Sequence, residues 1–448
     1  MLAPWLAAFP RTVQPLTEYA DHILRLPDSR SLSRIIADGP NAALSTVENA
    51  QPAILITSIA ILRVLEEEFG FKVRDGGEDA GRSSNKSTNG DTSLHAQAKG
   101  RVDFALGHSL GEFSALVAAG YISFGDAVLL VRKRAELMAQ CSREARATSG
   151  DVGMVALVCE SEEHLAALFN SITLFLEWSP ASSTSAATSS SSTSSRSSSA
   201  AEDDDHATKV PYVSIANINS KTQLVLSGSI PRIATLLAHL RQFGGHDPRH
   251  VRINTECPFH SPFMAPAVSA MRRILEEPSP ITGQSILLAD ENPASHPPTS
   301  SSHSPPSTIS TSANGTSKNK SFIPCISNIT ARPFPTHSRT QTRDLLARSC
   351  ASTVAWWASV QYLDRDKGVR RWVGIGPGKV GRNLVGKEVG IRATGGCEKA
   401  GGKRTGESGS GSDKSSIPLR GGGVWAVTHP REVEQFLREF EACEGKDE

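Results

Sequence analysis

The segment Gly107-His108-Ser109-Leu110-Gly111 is a G-x-S-x-G motif whose central serine could act as a nucleophile. Residues 102–106 before it are apolar and favour a buried strand, while Phe113, Leu116 and Val117 after it share one helical face. A strand, a tight turn and a helix present such a serine at a helix N-terminus, where free N–H groups favour a developing oxyanion. We expect a Cβ at either flanking glycine to collide with neighbouring backbone. The alternative is a turn without chemistry.

A nucleophilic serine needs a base within hydrogen-bond reach. His260 is the strongest candidate among the 13 histidines, because it lies in an apolar loop between two prolines, where a cleft would form at a domain boundary. His108 adjoins the serine, but its side chain should point away from the serine Oγ. Three other histidines are discounted because they lie in low-complexity tracts: His206, His296 and His303. From the residues alone, His260 is either a general base or a structural histidine.

An arginine interrupts the apolar face of a helix predicted from the N-cap Ser123 to about Gln140. This residue, Arg134, shares its face with Met138 and other apolar side chains. A buried guanidinium needs an anionic partner, because removing it from water alone costs several kcal/mol. The partner is either an internal carboxylate or a substrate carboxylate that the guanidinium binds with two hydrogen bonds.

The elements that must position these residues follow an α/β pattern. Strand-like and helical segments between about residues 151 and 255 follow the order β-α-β-β-α-β, which is typical of a ferredoxin-like unit. Signals of a parallel sheet resume afterwards, so we predict that this unit is inserted into a larger α/β domain. The predicted parts are 1–150 and 256–394 for the large domain, 151–255 for the small subdomain, disordered insertions 179–206 and 293–320, a low-complexity insertion 395–423, and a final strand and helix 424–448.

Composition excludes several classes of protein. The 448 residues carry a formal net charge of +1, which gives no indication of binding to nucleic acid or a membrane surface. No apolar run approaches the roughly 18 residues of a membrane span. The 7 cysteines are scattered without C-x-x-C spacing, which favours reduced thiols in an intracellular compartment and argues against a zinc site. The prolines within residues 1–16 disfavour a targeting peptide there.

Five motifs, in order, resemble those of the malonyl-CoA:acyl-carrier-protein transacylases, an acyltransferase family of fatty-acid and polyketide synthesis. Residues 107–113 are similar to the nucleophile motif of that family. The run from Val131 through Arg134 to Met138 looks like its carboxylate-binding helix, and residues 258–264 look like its catalytic-histidine loop. Two further segments match in order and spacing: 217–228 and 376–379. The resemblance covers about residues 4–384 apart from the insertions.

The resemblance implies a fold and a catalytic pair. The fold is a hydrolase-like α/β domain with a parallel sheet and a nucleophile elbow, into which a ferredoxin-like subdomain is inserted. Ser109 is then the acylated nucleophile and His260 its base. The Leu110 backbone N–H contributes to the oxyanion hole, and the Ser349 backbone carbonyl orients the histidine, taking the place of an aspartate.

The resemblance also implies a substrate and partners. Arg134 would bind the malonyl carboxylate, and Met138 and Asn219 would contribute to substrate binding. The chain would act as a monomer on malonyl-CoA and the phosphopantetheine thiol of an acyl carrier protein, without a cofactor or a metal. A mitochondrial location is expected from the resemblance, with the cytoplasm as the alternative.

One feature of that family has no counterpart in the sequence. Its members begin with a strand and a Gly-Gln-Gly turn whose glutamine N–H completes the oxyanion hole, and nothing before Trp5 matches it. We therefore expect one oxyanion donor to be unaccounted for. The loss of such a donor costs about 10²–10³ in rate.

Two rival interpretations remain open. An α/β-hydrolase would use the same elbow with Asp364 or Asp366 as the acid and His429 as the base. An inactive relative would only dock a carrier protein, through a basic cluster that is otherwise a solvated charge run. That cluster consists of Arg370, Arg371, Lys379, Arg382 and Lys387.

Overall fold

The computed structural model describes residues 1–26, 31–74, 101–177, 213–287, 322–389 and 422–444. The predicted insertions 179–206 and 293–320 lie outside the described residues, as does 395–421 of the third. The last residue of that third insertion, Gly423, opens the last strand.

The first part of the chain is mainly helical. Its elements are α1 (Ala3–Ala8), α2 (Pro10–Leu24), α3 (Leu32–Asp38), α4 (Asn41–Leu44), α5 (Val47–Glu67), β1 (Ala105–Leu106), α6 (Gly111–Ala119) and α7 (Phe124–Ser149). Ser123 caps α7 as predicted, since its Oγ accepts the Asp126 N–H at 3.1 Å, and the helix continues nine residues beyond the predicted end at Gln140.

The core of the large part surrounds helix α5. This helix is apolar on most of its sides, and it packs against α2, α6 and α7. Its buried residues include Leu55, Ile56, Ile61 and Leu65. A helix that is apolar nearly all round can only be stable inside a protein, so α5 fixes the positions of the two helices, α6 and α7, that carry the nucleophile motif and Arg134.

The middle of the chain forms a four-stranded antiparallel sheet with the strand order β3-β4-β2-β5. Its elements are β2 (Val152–Val158), α8 (Glu162–Glu177), β3 (Val213–Ser220), β4 (Gln223–Ser229), α9 (Ile230–Gln242) and β5 (Arg249–Arg252). The predicted β-α-β-β-α-β order is therefore confirmed. The subdomain limits 151 and 255 remain our proposal. The sheet supports them, because its first strand along the chain is β2 and its last is β5.

The two faces of this sheet have different partners. On one face Leu157, Leu224 and Leu226 pack against the apolar sides of α8 and α9. The other face contributes a smaller apolar cluster, against which Phe259 packs. Because Phe259 immediately precedes His260, the sheet supports the loop that carries the candidate base.

The last part of the chain returns to the large domain. Its elements are α10 (Ala265–Glu276), β6 (Cys325–Ile326), α11 (Arg339–Arg348), α12 (Trp356–Gln361), β7 (Arg371–Ile375), α13 (Val380–Glu388), β8 (Gly423–Val427) and α14 (Val433–Glu444). Strands β1 and β6 form one parallel pair, and β7 and β8 form another. The predicted α/β class, with parallel strands and an antiparallel inserted sheet, is confirmed.

Two properties of the described residues bear on function. None of their helices combines the length and the apolar character needed to cross a membrane. Within the same ranges, no group of three or more His, Cys, Asp or Glu side chains could hold a metal ion.

The central strand β4 offers a test of the small sheet. Leu224 is fully buried there, so Leu224→Ala should destabilise the protein by about 2–5 kcal/mol through lost apolar contact and a residual cavity. Val158→Ala, at the half-exposed end of β2, is the matched control and should change the free energy of unfolding by less than about 0.5 kcal/mol. Denaturant unfolding measures both variants, and equal effects would contradict this packing.

Candidate active site

The candidate nucleophile lies at the turn between β1 and α6. Ser109 has a φ of 51°, in the left-handed region that side chains rarely occupy. A Cβ on Gly107 would lie 1.9 Å from the Gly111 carbonyl oxygen, so only glycine fits at that position. A Cβ on Gly111 would meet nothing within 4 Å. The expectation that both glycines are sterically required is therefore wrong for Gly111.

Ser109 and His260 are in direct contact. The Ser109 Oγ lies 2.7 Å from the His260 Nε2, and the His260 Nδ1 lies 3.1 Å from the Ser352 backbone carbonyl oxygen. A carbonyl can only accept, so Nδ1 carries the ring proton and Nε2 is left as an acceptor. The neutral imidazole is thus oriented to take the serine proton.

The acceptor at Nδ1 differs from the one expected. The hydrogen-bond partner is the carbonyl of Ser352, three residues after the predicted Ser349. The Ser349 carbonyl still interacts with the imidazole, because both carbonyls raise the pKa of His260. The two carbonyls lie at the end of α11 and in the turn after it. The orienting role of the Ser349 carbonyl stays a prediction, and the Ser352 carbonyl acts beside it.

The histidine loop is held from both parts of the fold. His260 has a φ of 56°, and its N–H donates to the Cys350 carbonyl at 3.2 Å. Its own carbonyl accepts the Ser214 hydroxyl of β3 at 3.2 Å. His260 as a whole is 3% exposed, so its hydrogen-bond partners are not replaced by water. The base is therefore held rigidly between the small sheet and the turn after α11.

The electrostatic surroundings keep His260 neutral. Burial, together with the electrostatic effects of Arg134 and His108, lowers the pKa of His260 to about 3, against the raising effect of the two backbone carbonyls. Burial likewise lowers the pKa of His108. The imidazole is consequently available as a proton acceptor across the neutral pH range.

Arg134 lies in the interior, as the sequence pattern predicts. It is 2% exposed, its Nη1 donates to the Gln51 Oε1 at 2.5 Å, and its guanidinium lies 5.5 Å from the Phe113 ring centroid. Gln51 in turn donates to the Met138 Sδ at 3.8 Å. The Arg134 Nε has no hydrogen-bond partner among the described residues. Glu112 is the carboxylate whose pKa Arg134 lowers electrostatically.

Asn219 contacts the histidine of the nucleophile motif. Its Oδ1 lies 2.9 Å from the His108 Nε2, and the His108 ring packs 5.2 Å from the Trp356 ring. This contact directs the His108 side chain toward β3. Asn219 therefore touches the elbow through His108, and its predicted substrate contact stays a prediction.

The backbone N–H groups of the elbow have different uses. The Ser109 N–H donates to the Asn328 Oδ1 at 2.7 Å, so it is occupied. The Leu110 N–H, at the start of α6, meets no acceptor among the described residues. Its role as the oxyanion donor stays a prediction, with which an unoccupied N–H at this position is compatible.

Three polar residues at the site were missed by sequence reasoning: Gln51, Asn328 and Ser352. Gln51 lies near the start of the buried helix α5, and Asn328 follows strand β6 by two residues. A polar residue beside the apolar run of a buried element was a signal for both. Nothing local distinguishes Ser352, because it contributes only a backbone carbonyl.

The structure contradicts the alternative hydrolase triad. The Asp364 carboxylate binds Arg370 at 2.8 Å, and Asp366 lies 3.9 Å from Arg332. His429 accepts the Arg431 N–H at 3.2 Å and so caps a helical turn. These three side chains have structural partners of their own, whereas the Ser109 Oγ faces His260.

The proposed basic docking cluster is partly neutralised. Arg370 pairs with Asp364, and Lys379 pairs with Glu432 at 2.7 Å. The Arg371 guanidinium lies 5.6 Å from the Phe440 ring centroid. These contacts favour a structural use for much of the charge run.

Comparison with known proteins finds relatives over most of the chain. No family model matches the chain. It is 27% identical over 356 residues to the malonyl CoA-acyl carrier protein transacylase of Bacillus subtilis, covering 80% of this chain and 77% of that protein. The chain is therefore similar to malonyl-CoA:acyl-carrier-protein transacylases over most of its length. The mitochondrial transacylase of Schizosaccharomyces pombe is 26% identical over 346 residues, covering 76% of this chain and 79% of that protein.

A solved structure shares the fold of this chain. It is a malonyl-transacylase in complex with a type II polyketide-synthase acyl carrier protein. The two chains superpose with a TM-score of 0.56 at 22% identity, covering 87% of this chain and 88% of the other. At that identity the likeness shows the fold alone.

The low pKa of His260 makes a prediction about pH. A histidine that titrates near its usual pKa of 6.5 would lose roughly 20-fold in neutral fraction from about pH 7 to about pH 5. With a pKa of about 3, the neutral fraction stays nearly constant over that range. The rate at which a fluorophosphonate probe labels Ser109 should therefore show no inflection near pH 6.5. Hydrolysis of the probe in buffer is the control. An inflection of the labelling rate near pH 6.5 would contradict the lowered pKa of His260.

Proposed function

We propose that this chain transfers a malonyl group from malonyl-CoA to the phosphopantetheine thiol of an acyl carrier protein and so feeds fatty-acid synthesis. The observation that carries the proposal is the 2.7 Å contact between the Ser109 Oγ and the His260 Nε2 beside a buried guanidinium. A serine and histidine pair performs acyl transfer, and the guanidinium selects an acyl group that bears a carboxylate.

In the first step Ser109 attacks the thioester carbonyl carbon of malonyl-CoA. Its hydroxyl proton passes to the His260 Nε2, and the carbonyl oxygen becomes an oxyanion that the Leu110 N–H stabilises. The tetrahedral intermediate collapses by breaking the carbon–sulfur bond. The leaving CoA thiolate takes the proton from His260, and a seryl-malonyl ester remains.

In the second step the thiol of the carrier protein replaces CoA. His260 removes the thiol proton, and the resulting sulfur nucleophile attacks the ester carbonyl carbon of acylated Ser109. Collapse breaks the serine ester bond and returns the proton from His260 to the Ser109 Oγ. The reaction needs neither a cofactor nor a metal, and one active site handles both half-reactions in turn.

Arg134 is the proposed anchor for the malonyl carboxylate. Gln51 accepts a hydrogen bond from Nη1 only, so the Nε edge of the guanidinium is the side that can donate to a carboxylate. The flanking Met138 is fully buried and supplies an apolar wall beside Gln51. A guanidinium held in this way gives directional contacts to both carboxylate oxygens.

The partners and location of the chain complete the proposal. The complex of a related transacylase with its carrier protein supports an acyl carrier protein as the acceptor. The similarity to the mitochondrial transacylase of fission yeast supports a mitochondrial location. We further propose that the chain works as a monomer, because Ser109, His260 and Arg134 all come from one copy.

Radiolabelled malonyl-CoA tests the covalent step. The protein should acquire acid-stable label on Ser109 and release it to the thiol of an acyl carrier protein. Ser109→Ala should abolish the label, and His260→Ala should slow labelling by about 10²–10⁴ through loss of the general base. A folded wild-type protein that binds carrier protein but stays unlabelled would favour the inactive relative instead.

Arg134 can be tested by acyl preference. Arg134→Ala should lower the rate of malonyl transfer by about 10²-fold relative to acetyl transfer, because the paired carboxylate loses a charge-assisted bond of roughly 3 kcal/mol. Lys133→Ala, on the exposed side of the same helix, is the matched control and should leave the ratio unchanged. An unaltered malonyl preference in Arg134→Ala would exclude the anchoring role.

A further inference from the structure

One amide side chain grips the nucleophile turn through the two peptide groups that precede Ser109. The Asn328 Oδ1 accepts the Ser109 N–H at 2.7 Å, and the Asn328 Nδ2 donates to the Gly107 carbonyl at 2.7 Å. Asn328 follows strand β6, which pairs with β1 immediately before the turn, and the residue is 3% exposed. The grip is therefore a long-range contact between adjacent strand ends, shielded from water.

The orientation of the amide is determined by its neighbours. The Ser109 N–H can only donate, while the Gly107 carbonyl can only accept. Exchanging the oxygen and nitrogen of Asn328 would place an oxygen against an oxygen and two donors against each other. A carboxylate or an apolar side chain of the same size cannot satisfy both groups, so an amide is the side chain that the turn requires.

Glu112 holds Asn328 in place. Its Oε1 accepts the Asn328 backbone N–H at 2.6 Å and the Asn328 Nδ2 at 3.1 Å. The carboxyl is 1% exposed, and its Oε2 has no hydrogen-bond partner among the described residues. Buried carboxyls are costly unless their bonds are used. Here the used bonds are both directed at Asn328.

The local backbone explains why such a grip is needed. A left-handed φ at a residue other than glycine costs about 1–3 kcal/mol and persists only where its surroundings over-determine it. The hydrogen bonds at Gly107 and Ser109 fix the two peptide groups that precede the strained residue, on either side of His108. They also use the Ser109 N–H, which leaves the Leu110 N–H as the donor that faces an incoming oxyanion.

We infer that Asn328, supported by Glu112, is a positioning residue that sets the direction of the Ser109 Oγ and of the Leu110 N–H. The inference rests on the proposed function, in which both groups act on the thioester carbonyl. Asn328 has no part in binding the malonyl carboxylate, which Arg134 would hold. Its effect belongs to the rate of the chemical steps and not to substrate affinity.

The two protonation states of Glu112 both preserve the grip. Burial raises the pKa of Glu112 to about 7, against the lowering effect of its bonds from Asn328 and the charge of Arg134. In the neutral acid the proton resides on Oε2, because Oε1 already accepts two bonds. Glu112→Gln likewise keeps an oxygen for those bonds, so it is the conservative variant of this position.

The first experiment compares Asn328→Ala with Ser327→Ala, a buried polar neighbour in the same segment whose hydroxyl contacts the Ile329 N–H at 3.3 Å. The kcat for malonyl transfer is measured per titrated active site, so that misfolded protein does not count. We expect Asn328→Ala to lower this kcat by about 100-fold, the effect of a misplacement on the order of 1 Å, with KM for malonyl-CoA nearly unchanged. Ser327→Ala should resemble the wild type.

The second experiment uses pH. In Asn328→Asp the carboxylate accepts the Ser109 N–H but repels both the Gly107 carbonyl and Glu112. Its activity relative to wild type should rise as the pH falls from about 8 to about 6, because protonation of either carboxyl restores a donor. Adding Glu112→Gln should raise the activity at high pH, since one of the two repelling charges is then absent. A purely structural role would not produce this pH dependence.

The outcomes separate this inference from the proposed function. Fluorophosphonate labelling of Ser109 reports on the elbow without malonyl-CoA, so the order of the variants can be read even from a protein that transfers no malonyl group. A per-site kcat of Asn328→Ala close to that of Ser327→Ala would overturn the inference. If Asn328→Ala does not fold, a pH-independent ratio for Asn328→Asp would overturn it instead. Loss of wild-type transfer alone would refute only the function.

Discussion

The left-handed backbone of Ser109 is the constraint on which the rest of the site depends. Its φ of 51° points the hydroxyl out of the turn, and it requires the space beside Gly107 that only a missing Cβ leaves free. The strain is balanced by contacts from distant parts of the chain. Asn328 fixes the two peptide groups that precede Ser109, and β1 anchors the turn against β6. The nucleophile is thus a product of the tertiary fold as much as of its motif.

The candidate base is built by the same means. His260 also has a left-handed backbone, with a φ of 56°, and its backbone binds Ser214 on one side and Cys350 on the other. The small sheet therefore contributes to the site, because β3 and the apolar cluster that packs against Phe259 hold the loop that carries the His260 imidazole. The Ser109 Oγ and the His260 Nε2 lie 2.7 Å apart, and this contact between two strained residues needs both parts of the fold to be in place.

Sequence patterns predicted those features that are local. Periodicity gave the β-α-β-β-α-β order, and motif chemistry singled out Ser109, His260 and Arg134. The strand before the nucleophile motif was predicted too long: residues 102–106 shrink to Ala105–Leu106, because pairing with β6 ends there. Asn328 and Gln51 act through partners more than 80 residues away along the chain. Spacing within a segment carries no information about such partners, so their roles required the structure.

The charges of the site are coupled in a way that suits a carboxylate substrate. The Arg134 guanidinium is buried with an amide as its hydrogen-bond partner, and its charge lowers the pKa of His260. A malonyl carboxylate bound to Arg134 would cancel that charge and make His260 a stronger base. The same charge also lowers the pKa of Glu112, against the raising effect of its burial. An acyl group without a carboxylate would leave the base weaker, so the guanidinium would favour malonyl transfer through the chemistry as well as through binding.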